Sequence, residues 1–259
     1  MFDAHCHLED PAFEGKIGEV VARAKESGVI GMISCAGSIE ESRKAVETAE
    51  KYNEVWAAVG IYPETKISPR RSAFAHLRGV LLELAKHPKV VAIGEAGLDF
   101  FEDTSDKEKK RQTEVFIFNI ELAKESGLPL VVHCRNAFEE VYELVNGAKV
   151  TGQMHCFTGG PQWAERFAAL GWYISFGGII TFRNAGQIRE AARTTPEDKL
   201  LIETDAPYLA PEPIRGSKNE PKNVKMVIER VADIRGQGAE EIGRITTLNT
   251  QRLFPKIWK

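Results

Sequence analysis

The 259-residue chain has little of what would place it in the specialised classes of protein. It contains only four cysteines, Cys6, Cys35, Cys134 and Cys156, and no two of them form a CxxC pair. Four scattered cysteines in a chain this long do not make a disulfide framework, so reduced, buried thiols are expected. No apolar run approaches the roughly 20 residues of a membrane span. The opening MFDAHCH has no basic segment ahead of an apolar stretch, so no signal peptide is read there and a cytoplasmic protein is expected. An excess of basic charge is missing as well: 34 Lys and Arg against 37 Asp and Glu give a formal charge of −3. That argues against a protein that coats nucleic acid through its overall field, but not against an enzyme that grips a few phosphates locally.

What is present is the material of a globular enzyme. Hydrophobic residues make up 43% and charged residues 27%, enough apolar matter for a full core. Eight short apolar runs recur along the chain, at 1–4, 29–35, 55–61, 90–94, 128–132, 150–154, 172–176 and 200–202. Most are continuously apolar, as in strands covered on both faces of a parallel sheet. Amphipathic segments separate them. In 106–126, Val115, Phe116, Phe118, Ile120, Leu122 and Ala123 form overlapping stripes at helical spacing. Gly28, Gly127 and Gly171 fall between a helical stretch and a strand, where a left-handed C-cap is wanted. Eight βα units fit either an open doubly wound sheet or a closed barrel, and periodicity leaves both open. One long loop, 206–221, is rich in Pro and polar residues, and loops of this length are often functional.

The polar residues at the strand ends favour the barrel. His5 and His7 stand at i and i+2 at the end of the first run, where an extended chain points both imidazoles to one side. Glu95 follows the fourth run, His133 the fifth, His155 the sixth, and Glu203 and Asp205 the eighth. Four of the six histidines thus come at strand ends, on the face where a (β/α)₈ barrel carries its active site. His76 and His87 lie in helical stretches and are read as solvated. Burying so many imidazoles and carboxylates is costly unless something pairs with them, and a divalent metal does so. Four imidazoles and two carboxylates exceed one tetrahedral zinc but suit two cations sharing a bridging carboxylate. Such a pair can activate a water, which points to hydrolysis. The donor set fits Zn²⁺, Mn²⁺ or Ni²⁺; Mg²⁺ usually prefers all-oxygen sites.

These segments resemble a known family. Asp3-Ala4-His5-Cys6-His7-Leu8 is similar to the DxHxHL opening of the TatD family of metal-dependent deoxyribonucleases, in the amidohydrolase superfamily. In order along the chain, AIGEAGLD at 92–99, LPLVVHCRNA at 128–137, HCFTG at 155–159, LIETDAPYL at 201–209 and PIRGSKNEP at 213–221 match further family motifs. The resemblance spans nearly the whole chain. It implies one TIM-barrel-like (β/α)₈ domain over residues 1–259. It also implies one metal held by His5, His7 and Asp205, a second held by His133 and His155, and Glu95 bridging them. Asp205 would take the proton of the attacking water, Glu95 would share in catalysis as the bridge, and Glu203 would orient groups behind the ligands. The substrate implied is DNA, cleaved at its phosphodiester bonds, with Arg135 and Arg215, together with Arg183 and Lys218, placed to meet phosphates.

One segment departs from the family. Many members read GxHPH after the third strand, whereas this chain reads Gly60-Ile61-Tyr62-Pro63-Glu64. Tyr62 can still donate a hydrogen bond, but Glu64 would repel a phosphate. This keeps an alternative open: an amide or ester hydrolase of deacylase type with the same metals, which polarise a carbonyl as readily as a phosphoryl oxygen. A third reading, a metal-binding barrel without catalysis, leaves a complete ligand set without a use.

Overall fold

A computed structural model describes residues 1–67, 71–102 and 105–258. Strands and helices alternate: β1 (Phe2–Cys6), α1 (Ile17–Glu26), β2 (Gly31–Cys35), α2 (Ile39–Lys51), β3 (Val55–Val59), α3 (Arg71–Ala85), β4 (Val90–Asp99), α4 (Asp106–Ser126) and β5 (Leu130–Arg135). Then follow α5 (Phe138–Val145), β6 (Gly152–Met154), α6 (Pro161–Ala169), β7 (Tyr173–Phe176), α7 (Gly186–Thr194), β8 (Leu200–Ile202), α8 (Val224–Arg235) and α9 (Ala239–Leu253). The eight strands pair in sequence order, every pair parallel. The expected barrel, rather than an open doubly wound sheet, is therefore what forms.

The seam between β1 and β8 is closed just past the ends of the strands and by side chains. Asp205 N donates to His5 O (2.9 Å), and His7 N donates to Ala206 O (2.7 Å). Buried Asp3 accepts from Thr204 N (2.8 Å) and Thr204 Oγ1 (2.6 Å). These bonds place His5, His7, Glu203 and Asp205 side by side at the C-terminal rim.

Helix boundaries follow local chemistry. Ser105 caps α4 by accepting from Glu108 N, and Gly127 ends it at φ +66. Ser38 caps α2 by accepting from Glu41 N. Gly28 and Gly171 also adopt the left-handed conformation, as their positions predict.

Three strands run further than their apolar runs, β1 as far as Cys6. β4 continues through Glu95 to Asp99, and β5 through His133 to Arg135, because the two pair residue by residue from Ala96↔Val132 to Asp99↔Arg135. Gly97 permits that approach: it sits at φ +142, and a Cβ there would collide with the His133 carbonyl oxygen. His5 and His133 accordingly lie inside strands rather than after them, and only His7 and His155 follow a strand end. His87 also differs from expectation. It lies in the turn beyond α3, with one ring nitrogen 3.0 Å from Glu50 and the other accepting from Lys89 N, while His76 is exposed on α3 as expected.

The core has two parts. One is the layer between sheet and helices, with Phe116, Phe157, Phe167 and Trp172 all buried. The other fills the barrel with small and medium side chains, Ala4, Ile33, Ala58, Val91, Val131 and Leu201, and is closed below by Phe2, Leu253 and Phe254. No helix among the described residues is long and apolar enough to cross a membrane.

Candidate functional site

The C-terminal ends of the strands open into a cavity of about 710 Å³. Glu95 lies at its floor, 4% exposed, and each of its carboxylate oxygens faces a different pair of histidines. Oε2 is 3.4 Å from His5 Nε2 and 3.5 Å from His7 Nε2. Oε1 is 3.1 Å from His133 Nδ1 and 2.9 Å from His155 Nε2. Asp205 Oδ1 joins the first pair, 3.4 Å from His5 Nε2 and 3.3 Å from His7 Nε2. All six ligands expected from the sequence therefore meet in one place, divided into His5–His7–Asp205 and His133–His155 with Glu95 between.

Backing groups decide which nitrogen is bare in three of the four rings, while buried His5 Nδ1 has no partner among the described residues. A carbonyl oxygen can only accept, so His7 Nδ1, 2.9 Å from Cys35 O, carries its proton there and turns an unprotonated Nε2 inward. His133 Nε2 is 2.9 Å from Asp99 Oδ2, and His155 Nδ1 is 3.3 Å from Glu203 Oε1, so these rings, when neutral, also turn a lone pair inward. Yet the inward nitrogens nearly touch: His5 Nε2 is 3.0 Å from His7 Nε2, and His133 Nδ1 is 3.2 Å from His155 Nε2. Two lone pairs at that distance repel unless a cation or a proton lies between them.

Without a metal, protons fill that role. Burial works against charge on His7, but the Asp205 hydrogen bond and Glu95 outweigh it and push its pKa up to about 9. Burial also opposes charge on His155, and Glu95 and Glu203 overcome it, holding the ring well above its ordinary value. Burial alone would raise Glu95, yet the imidazoles of His155, His133 and His5 hold it well below the usual carboxylate range. Fully buried His5, stacked 3.9 Å from His155, moves the other way, because burial and His155 disfavour a second charge. The donor set thus balances two carboxylates with cationic charge, as it would with divalent metal.

Of the substrate residues expected from the sequence, the structure brings some to the cavity and not others. Arg135 lines the wall with its guanidinium 3.5 Å over the Phe101 ring, and Tyr62 lines it with its hydroxyl 3.4 Å from His133 Nε2. Burial, with Glu95 next, raises the Tyr62 pKa, so the phenol keeps its proton and can donate. Glu203 is fully buried behind His155, where Oε1 also accepts from Cys156 N (2.6 Å). Arg215 is not a lining residue: its guanidinium lies 4.1 Å over Phe182 and 3.8 Å from Glu212. Exposed Arg183 and Lys218 are outside the lining too, as is exposed Glu64. Arg135 is the one lysine or arginine on the described wall, which also carries Glu9, Asp10 and Glu41.

Three contributors escaped the sequence reading. Asp99 was quotable as part of a motif, and its i+4 spacing from Glu95 on one strand face was the available signal. Asn219, fully buried, holds the 206–221 loop by donating from Nδ2 to Thr204 O (2.9 Å) and Tyr208 O (2.8 Å). The Cys35 carbonyl had no signal at all. Strain is concentrated here as well: of five described non-glycine residues at positive φ, Asn136, Cys156, Asp205 and Leu209 all line the cavity.

A closed ring of eight parallel strands with histidines and carboxylates on its C-terminal rim defines a hydrolase of the metal-dependent TIM-barrel class. More particularly, the chain belongs to the TatD family of metal-dependent hydrolases: the family model described as TatD related DNase matches residues 2–255. It is 41% identical to the metal-dependent hydrolase YabD of Bacillus subtilis, with 98% of each chain covered. It is 33% identical to the 3'-5' ssDNA/RNA exonuclease TatD of Escherichia coli, again with 98% of each covered. Among solved structures, the TatD homologue YjjV of Escherichia coli superposes with a TM-score of 0.90 at 32% identity, covering 98% of both chains.

Proposed function

We propose that this protein hydrolyses phosphodiester bonds of DNA, in single-stranded form, at a centre of two divalent ions. The observation that carries this reading is the division of the Glu95 oxygens between two histidine pairs, with Asp205 joining the first. His5, His7 and Asp205 would hold one ion, His133 and His155 the other, with Glu95 shared. The mixed nitrogen and oxygen donors suit Zn²⁺, Mn²⁺ or Ni²⁺ and suit Mg²⁺ less. When bound, such a pair supplies Lewis acidity, stabilising charge on phosphoryl oxygens and making water more acidic. The chain's own residues do the rest. Asp205, at the cavity wall, accepts the proton of the attacking water. Glu203, Asp99 and the Cys35 carbonyl keep His155, His133 and His7 in their ligating tautomers. Arg135 and the neutral Tyr62 phenol donate to phosphoryl oxygens as charge builds on them. The exonuclease activity named for the 33% identical relative supports the choice of substrate.

A second reading, an amide or ester hydrolase of deacylase type, draws on the wall itself. One arginine facing Glu9, Asp10 and Glu41 is a poor track for a polyanion and tolerates a neutral or cationic substrate. One experiment decides between them. Protein loaded with each metal in turn is tested on single-stranded DNA, RNA and a panel of esters and amides, with metal content measured. Phosphodiester cleavage at about two ions per chain supports the first reading. Ester or amide turnover without nucleic-acid cleavage replaces it with the second.

A further inference from the structure

Six large hydrophobic side chains are exposed among the described residues, and two of them, Phe101 (53%) and Tyr208 (52%), line the cavity. Phe101 follows β4 and Tyr208 follows β8, four strands apart in a ring of eight, so they stand on opposite sides of the mouth with the histidine–carboxylate cluster between. Neither ring is loose. The Tyr208 hydroxyl donates to Asp10 Oδ2 (2.5 Å), and its ring stands edge-on to His7 at 5.7 Å. Phe101 N donates to Asp99 Oδ1 (3.0 Å), and the Arg135 guanidinium covers one face of its ring. Two held rings with free surface offer contact area at little further cost in conformational entropy. Among the described residues the wall carries one arginine and no lysine, so there the aromatic rings offer a strand's bases more contact than its backbone phosphates find.

We propose that Phe101 and Tyr208 are stacking platforms for the bases on the two sides of the phosphodiester being cleaved, and so select unpaired strands. In a duplex the base faces are already covered by their neighbours, whereas a single strand can open its bases onto aromatic rings whatever the sequence. The proposal rests on the phosphodiesterase reading above.

The test uses metal-loaded enzyme and two ten-nucleotide single strands, one unmodified and one with abasic residues at the last two positions of both ends. Phe101→Leu and Tyr208→Leu should each raise KM on the unmodified strand about tenfold, within the range measured for losing one base–aromatic stack, and change kcat less than about twofold. On the abasic strand the same variants should match wild type, because the stacking partner is already gone. Tyr208→Phe, which keeps the ring but loses the bond to Asp10, should give a KM between those of wild type and Tyr208→Leu. Unchanged KM in both leucine variants, or an equal loss on the abasic strand, overturns the platforms. Failure of the wild type to cleave either strand refutes the phosphodiesterase reading itself, and the platforms with it; that result appears in the wild type, whereas failure of the platforms alone appears only in the variants.

Discussion

The two ends of the barrel are made by the same eight strands and carry opposite chemistry. At the N-terminal end, Phe2, Trp56 and Trp258 pack with ring centroids 5.6–6.5 Å apart, and buried Phe254 closes the bottom of the barrel beside them. At the C-terminal end, His5, Glu95, His155, Glu203 and Asp205 are buried like Phe2 and Phe254. The lower end loses apolar surface to the interior and is stabilised by it. The upper end desolvates carboxylates and imidazoles, which disfavours folding unless protons or metal offset the cost. Stability and chemistry are therefore assigned to different ends, and a change at one should leave the other largely intact.

The largest expected effect is on the upper end. Glu95→Gln removes the charge shared by both histidine pairs and should lower turnover on the order of 10⁴-fold. The metal-free protein should still fold, with a lower denaturation midpoint because the charge that offsets the buried imidazoles is gone. A variant that retains most activity would dissolve the distinction between the ends. Next comes the lower end: Phe254→Ala should cost about 3–5 kcal/mol in denaturant unfolding while leaving kcat unchanged where the protein is folded. A matching fall in kcat would show that the floor of the barrel is coupled to the rim.

Smaller effects sharpen the comparison. Asp99→Asn lets the His133 ring turn its other tautomer inward, and metal affinity should fall about 10–100-fold in a competition assay, with stability little changed. Unaltered affinity would make Asp99 a bystander. The last effect is on pH dependence. His7 is raised from 6.5 to about 9 in the metal-free fold, so its contribution is fully present below pH 6.5 and is lost as pH rises through about 9. Metal-free protein should thus lose up to about 3 kcal/mol of stability across that window. Metal loading should show the reverse slope, since the same protons must leave before ligands bind. Thermal melts at several pH values, with and without chelator, measure both slopes; parallel slopes would contradict the charge balance argued for the cluster.

Much of this molecule was legible in order along the chain. Continuously apolar runs marked the eight strands because strands covered on both faces bury both sets of side chains, and Ser105 and Gly127 marked the ends of α4 because capping is local. The six proposed ligands were legible because each sits at or near a strand end and its residue type is costly to bury alone. What sequence alone left open was contact between distant segments. Apolar runs could not show that β4 and β5 continue through Glu95 and His133, since pairing at Gly97 decides it. The tautomers of His7, His133 and His155 depend on Cys35, Asp99 and Glu203, each from a different strand or its end. Nor could charge type alone separate Arg135, on the wall, from Arg215, which lies over Phe182 outside it. Local periodicity and capping act within a few residues and so are written in the sequence, whereas the direction a side chain takes at the rim depends on the closure of the ring, which brings residues 5 and 205 together across the whole chain.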